Sequence, residues 1–173
     1  RIEEYDPEWP LPKLFRLKKG GKINTGIFEG ATINTPSMLA TEDYIDALEW
    51  AQAMGGRKAM FERADANAKI VLDWIEATPW LRNMVADPAK RTNTGVCFVF
   101  QGEWYDQLLD DEKAAVPKKI VKLLEDRDVG YDFNGYRDAP PSLRIWCGGT
   151  VEQEDLKRLL PWIEWAYEQV KAA

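Results

Sequence analysis

No other stretch limits the possible folds as tightly as Arg57 to Ala77. Met60, Phe61, Ala64, Ala68, Val71, Leu72 and Ile75 recur at the intervals that gather side chains on one side of an α-helix. Gly55-Gly56 interrupts the pattern before it and Thr78-Pro79 after it, so the spacing predicts one long helix over about 57–77. An apolar stripe of this length needs a second layer to cover it. The sequence downstream supplies one. "TNTGVCFVF" (Thr92–Phe100) reads as a buried strand, and residues from about 104 to 126 are mostly helical, with Ile120, Val121, Leu123 and Leu124 apolar. "VGYDFNG" (Val129–Gly135) and "SLRIWCGG" (Ser142–Gly149) read as two more strands. A last helix begins at Thr150 or Val151 and carries Leu156, Leu159, Leu160, Ile163, Trp165 and Ala166. This order predicts an α/β sandwich, a small mixed sheet covered on one face by helices.

The residues before this pattern do not belong to it. "EEYDPEWPLPKLFRL" is rich in proline and aromatics and reads as an extended arm. "KLFRLKKGGKINTGIF" is a hairpin candidate turning at Gly20-Gly21. An Asn34-Thr35-Pro36-Ser37 turn then leads into a helix expected from about Thr41 to Met54, with Tyr44, Ile45, Leu48 and Ala51 on its buried side. These elements look like the end of another domain. The expected division is therefore 1–56, the end of a larger domain, and 57–173, an interdomain helix with a complete small α/β domain.

The composition, 45% hydrophobic and 30% charged, is that of an ordinary globular protein. The net charge is −6, and basic residues are interleaved with acidic ones, which argues against nucleic acid or an anionic membrane as partner. No apolar run approaches the roughly 20 residues of a membrane span, and no signal peptide is visible. Cys97 and Cys147 lie in apolar stretches and read as reduced core residues, which fits a cytoplasmic protein. The chain has no histidine, so a His-based metal site and Ser–His or Cys–His pairs are excluded within it, and no metal is expected. No glycine-rich dinucleotide fingerprint or P-loop occurs. The sequence begins at Arg1 rather than at methionine, which leaves room for further chain upstream.

Two places could hold an anion. Pro36 biases Thr35 toward an extended conformation just before a helix, and Asn34 and Thr35 offer an amide and a hydroxyl. The turn is either a plain helix start or a phosphate cradle. In "YRDAPPSLRIW", Arg137 lies in a Pro-rich loop and Arg144 in the apolar strand that follows. A guanidinium between Leu143 and Ile145 needs an anionic partner, because an unpaired buried charge is costly. That partner is either one of the chain's own carboxylates or a substrate carboxylate or phosphate, which the Arg fork grips in bidentate fashion. Arg16, Arg57, Arg63 and Arg91 lack such a setting and read as surface or structural. Asp65, Asn67 and Lys69 read as the solvated face of the long helix. Glu152, Glu154 and Asp155 suit the start of the last helix. The tryptophans, Trp74, Trp80, Trp162 and Trp165 among them, read as core or interface.

Joined, "KLFRLKKGGKINTGIFEGATINTPSMLATEDYIDALEWA", "RADANAKIVLDWI", "TNTGVCF" and "YRDAPPSLRIWCGGTVEQEDL" closely resemble the C-terminal half of phosphoserine aminotransferases, in the branch carrying "YRDAPP.LRIW". The resemblance covers essentially all 173 residues. It implies a fold-type I enzyme using pyridoxal 5′-phosphate (PLP), which exchanges an amino group between glutamate and 3-phosphohydroxypyruvate to give 2-oxoglutarate and O-phospho-L-serine in serine biosynthesis. It also implies a homodimer in which Asn34 and Thr35 reach the PLP phosphate of the partner subunit. Arg144 then matches the arginine that binds the substrate carboxylate, and Arg137 the one on the phosphate side, with Tyr136 where other branches carry histidine. The family's Schiff-base lysine, the aspartate at the pyridine nitrogen and the stacking aromatic lie upstream of the matched region. No catalytic residue is therefore expected in this chain, which would act with an upstream half of the same enzyme. Two rivals remain: a related aminotransferase with another donor or acceptor, and a non-catalytic α/β interaction module with an incidental anion loop.

Overall fold

The computed structural model describes Glu4 and residues 8–173, apart from the side chains of Leu14 and Ile27. Residues 3 and 5–7 of the expected arm lie outside the described residues. The chain divides into two compact units, Arg1–Trp50 and Ala51–Ala173.

In the first unit, Lys13–Phe15 makes a short 3-10 turn within the stretch read as an arm. The expected hairpin follows. β1 (Lys18–Lys19) pairs antiparallel with β2 (Lys22–Ile23), Lys18 opposite Ile23. Gly20 and Gly21 between them have φ of 60° and 77°, the left-handed pair that a two-residue hairpin turn requires. α1 (Met38–Ala53) starts three residues earlier than the sequence suggested. Ser37 is the reason: its hydroxyl accepts from the Ala40 N–H at 3.3 Å, which satisfies one free donor of the first turn. Thr41, the expected first residue of the helix, donates its hydroxyl to the Ser37 carbonyl at 2.9 Å. None of the residues of α1 is buried.

The second unit holds the core. α2 (Gly56–Ala77) follows Gly55, whose φ of 111° permits the break between α1 and α2. Next come β3 (Leu81–Asn83), β4 (Gly95–Phe100), α3 (Glu103–Asp106), α4 (Asp110–Glu125), β5 (Ser142–Trp146) and α5 (Gln153–Ala172). The sheet order is β3-β4-β5, with Phe98 opposite both Asn83 and Leu143, and Cys97 opposite Arg144. Period-two alternation puts Leu81, Val96, Phe98, Phe100, Leu143 and Ile145 on one face. All six are buried in one cluster with Val71 and Ile75 of α2, Ile120 and Leu124 of α4, and Leu156, Ile163 and Tyr167 of α5. Full burial of each large apolar side chain is worth about 1.5–3 kcal/mol, so this cluster dominates the unit's stability. Trp80 stacks on Tyr167 at 3.7 Å between centroids, and Trp74 meets Phe98 edge-on at 5.5 Å, placing these aromatics in the core as expected.

The α/β sandwich is as predicted, but its sheet is antiparallel throughout rather than mixed. The cause lies between α4 and β5. Residues 129–135, expected as a full strand, run beside β5 in the opposite direction and make only the Asn134–Leu143 bridge. This return pass reverses the chain once more before β5 enters, so β5 meets β4 antiparallel. Positive φ at Asp128 (54°) and Asp132 (61°) keeps the segment from extending into a regular strand. β3 is a strand that the sequence pattern did not reveal, being three residues long.

Candidate functional site

β5 fixes Arg144 through its neighbours. Leu143 and Ile145 are buried against the helices, so the intervening side chain emerges on the opposite face. Arg144 keeps 24% of its side-chain surface exposed. Its Nη2 donates to Asp132 Oδ2 at 2.7 Å. Its guanidinium carbon stands 4.8 Å from the centre of the Tyr136 ring, within cation–π range. Nε and Nη1 have no hydrogen-bond partner among the described residues. The backbone explains how Asp132 arrives here: Arg144 N–H donates to Phe133 O at 2.8 Å, and Gly135 N–H to Ser142 O at 3.3 Å. These bonds lay the segment bearing Asp132 and Tyr136 along β5.

A cleft of about 620 Å³ opens at this point, with Thr94, Cys97, Asp132, Tyr136, Arg144 and Trp146 among its lining residues. Cys97 is half-buried, Cys147 is buried, and both thiols are free. Burial pushes the Cys97 thiol above its ordinary range, and the positive charge of Arg144 pulls the other way. A thiol held protonated is a poor nucleophile, and Cys97 forms part of the cleft wall.

Arg144 and Tyr136 are thus brought into contact. Arg137 follows Tyr136 in the chain and is exposed, with no hydrogen bond or ion pair among the described residues. Asn34 and Thr35 belong to the first unit, where both are exposed and their side chains make no hydrogen bond among the described residues. Of the two partners open to Arg144 in the sequence, the structure supplies a carboxylate of the chain itself.

Of two positioning residues on α2, Arg63 is structural, within its sequence reading, and Asn67 was misread. Asn67 is fully buried rather than solvated, and its amide donates to Gly148 O at 3.1 Å and Val151 O at 2.9 Å. One turn earlier, Arg63 Nε donates to Gly149 O at 2.8 Å, while Nη2 reaches Val151 O at 3.2 Å and Glu152 Oε1 at 2.7 Å. Together they hold the loop between β5 and α5, whose Val151 lines the cleft. The signal was present: Asn67 falls between Ala64 and Val71 on the apolar stripe, where a polar residue needs buried partners. Asp65 and Lys69 are exposed as expected, accepting from Asn93 and pairing with Asp73.

Comparison with known proteins turns this geometry into a family assignment. The phosphoserine aminotransferase of Methanosarcina mazei is 47% identical over 171 residues, which is 99% of this chain. That of Methanosarcina barkeri is 48% identical over the same length. The chain belongs to the phosphoserine aminotransferase family. It spans 44% of the length of both relatives. A more distant phosphoserine aminotransferase, from Phocaeicola vulgatus, is 33% identical over 136 residues. Among solved structures, the phosphoserine aminotransferase of Bacillus circulans subsp. alkalophilus superposes with a TM-score of 0.70 over 92% of this chain and 39% of its own, at 20% identity. The PLP-bound phosphoserine aminotransferase of Trichomonas vaginalis gives 0.63 over 80% of this chain and 36% of its own, also at 20% identity. At that identity the likeness concerns the fold. No family model matches the chain. Among the described residues no helix is long and apolar enough to cross a membrane.

Proposed function

We propose that this chain is the substrate-recognising, C-terminal part of a phosphoserine aminotransferase. The enzyme passes an amino group from glutamate to 3-phosphohydroxypyruvate, giving 2-oxoglutarate and O-phospho-L-serine for serine biosynthesis. The observation that carries the reading is the guanidinium of Arg144, part-buried on a rigid strand and open to a cleft. In that place Arg144 binds the substrate carboxylate through paired N–H donors. Tyr136 supports the guanidinium from its ring face. Arg137, exposed and without a partner among the described residues, is the donor for the substrate phosphate.

Residues 1–56 on this reading end the large cofactor-binding domain, and 57–173 form the interdomain helix and small domain. The donor set at Asn34 and Thr35 suits the phosphate of PLP: an amide and a hydroxyl, both exposed and unpaired among the described residues, ahead of a helix N-terminus. In a homodimer these two side chains serve the cofactor of the partner subunit. PLP, when bound, withdraws electrons from the substrate α-carbon, which lets the amino group leave one carbon skeleton and join another. The lysine that tethers PLP is assigned to the upstream part of the enzyme, so this chain contributes recognition and not proton transfer. Two free thiols support a reducing, cytoplasmic setting.

Substitution in the full-length enzyme tests the assignment. Arg137→Ala removes charge-assisted hydrogen bonds worth about 1.5–3 kcal/mol, so KM for 3-phosphohydroxypyruvate rises about tenfold or more. Hydroxypyruvate, the same acceptor without its phosphate, is used as before. Equal damage to both acceptors places the phosphate site elsewhere.

A further inference from the structure

The ion pair between Arg144 and Asp132 has a consequence for specificity that rests on the carboxylate-binding role just proposed. Asp132 is not built to stay. Its side chain is 84% exposed, whereas that of Arg144 is 24% exposed, so water solvates the carboxylate readily once it leaves. The contact is a single hydrogen bond, from Nη2 to Oδ2 at 2.7 Å. A substrate carboxylate engaging two N–H groups of the fork forms the stronger arrangement. Exposed ion pairs of this kind contribute little on their own. The approach of a second carboxylate to the same guanidinium also sets like charges against each other.

We propose that Asp132 is an internal competitor for Arg144, occupying the substrate's carboxylate position until a bidentate carboxylate displaces it. Asp132 thereby raises the threshold for binding. Ligands with one weak anionic contact fail to dislodge it, whereas an amino or oxo acid held at a second point succeeds. The left-handed backbone at Asp132, φ 61°, delivers the carboxylate to this position, and asparagine or glycine adopts the same backbone without added strain. Those two residues therefore remove the charge while leaving the loop conformation available.

The test uses the full-length, PLP-loaded enzyme and its glutamate KM at low salt. Asp132→Asn and Asp132→Gly each lower KM by about threefold or more, since a competing charge has been removed. A gain in affinity is an outcome that damage to the loop cannot produce. If either variant leaves KM unchanged or raises it, Asp132 is not a competitor and the proposal falls. Arg144→Lys is the separate control for the underlying reading. It raises glutamate KM if Arg144 binds the carboxylate, whatever Asp132 does. An unaltered KM in that variant overturns the assignment of Arg144 itself, and the proposal with it.

Discussion

Cys147 shows how much one buried side chain can set. It follows β5 with no exposed surface, its N–H donating to Thr94 O at 2.7 Å, and burial pushes its thiol from 9.0 up to about 11. The unfolded chain gives up this proton near pH 9, while the folded chain keeps it until about pH 11. The fold therefore holds the full contribution below about pH 9 and loses it as pH rises toward 11. Denaturation midpoints followed from pH 8 to 11 should fall more steeply in the natural chain than in Cys147→Ala, and parallel curves would refute the cause. Residues like this were legible in the sequence because an apolar neighbourhood predicts burial. Asp132 was not. Its pairing with Arg144, twelve positions on, depends on a left-handed backbone that an aspartate does not announce.

The packing of the 129–135 segment against β5 rests on Gly135. A Cβ there would collide with Ser142 Oγ, a hydroxyl buried without a hydrogen-bond partner among the described residues. Two substitutions and their combination expose the arrangement. Ser142→Ala removes an unsatisfied buried group and leaves stability unchanged or slightly raised. Gly135→Ala forces the segment or the hydroxyl to shift and costs about 1–3 kcal/mol. Combining them recovers most of that loss, because the obstructing oxygen is gone. Additive losses in denaturation midpoints would show that the clash is not the cause. The long helices, the hairpin and the central strand were readable from period and turn chemistry, since each is specified by its own residues. The antiparallel sheet was not, because strand direction is set by the return pass between α4 and β5. That pass resembles a strand in composition and becomes an irregular edge through two aspartates at positive φ.

Across the whole molecule the two units differ in how they are held. The second is built on one continuous core, whereas α1 of the first carries Met38, Leu39, Tyr44 and Leu48 at exposures of 51–74%. Apolar surface of this kind calls for a cover. The 173-residue chain by itself should therefore bind a hydrophobic dye, with Leu48→Glu reducing the signal. Full-length enzyme should bind far less dye per chain, and equal binding by both would mean that α1 stays bare. Another consequence follows from Arg63 and Asn67 on α2. The helix is 22 residues long, so it forms a strut of about 33 Å. Five hydrogen bonds from these two side chains rivet the β5–α5 loop to one point along it. The wall of the cleft at Val151 is therefore tied to α2 as one piece, like a jaw fixed to its handle.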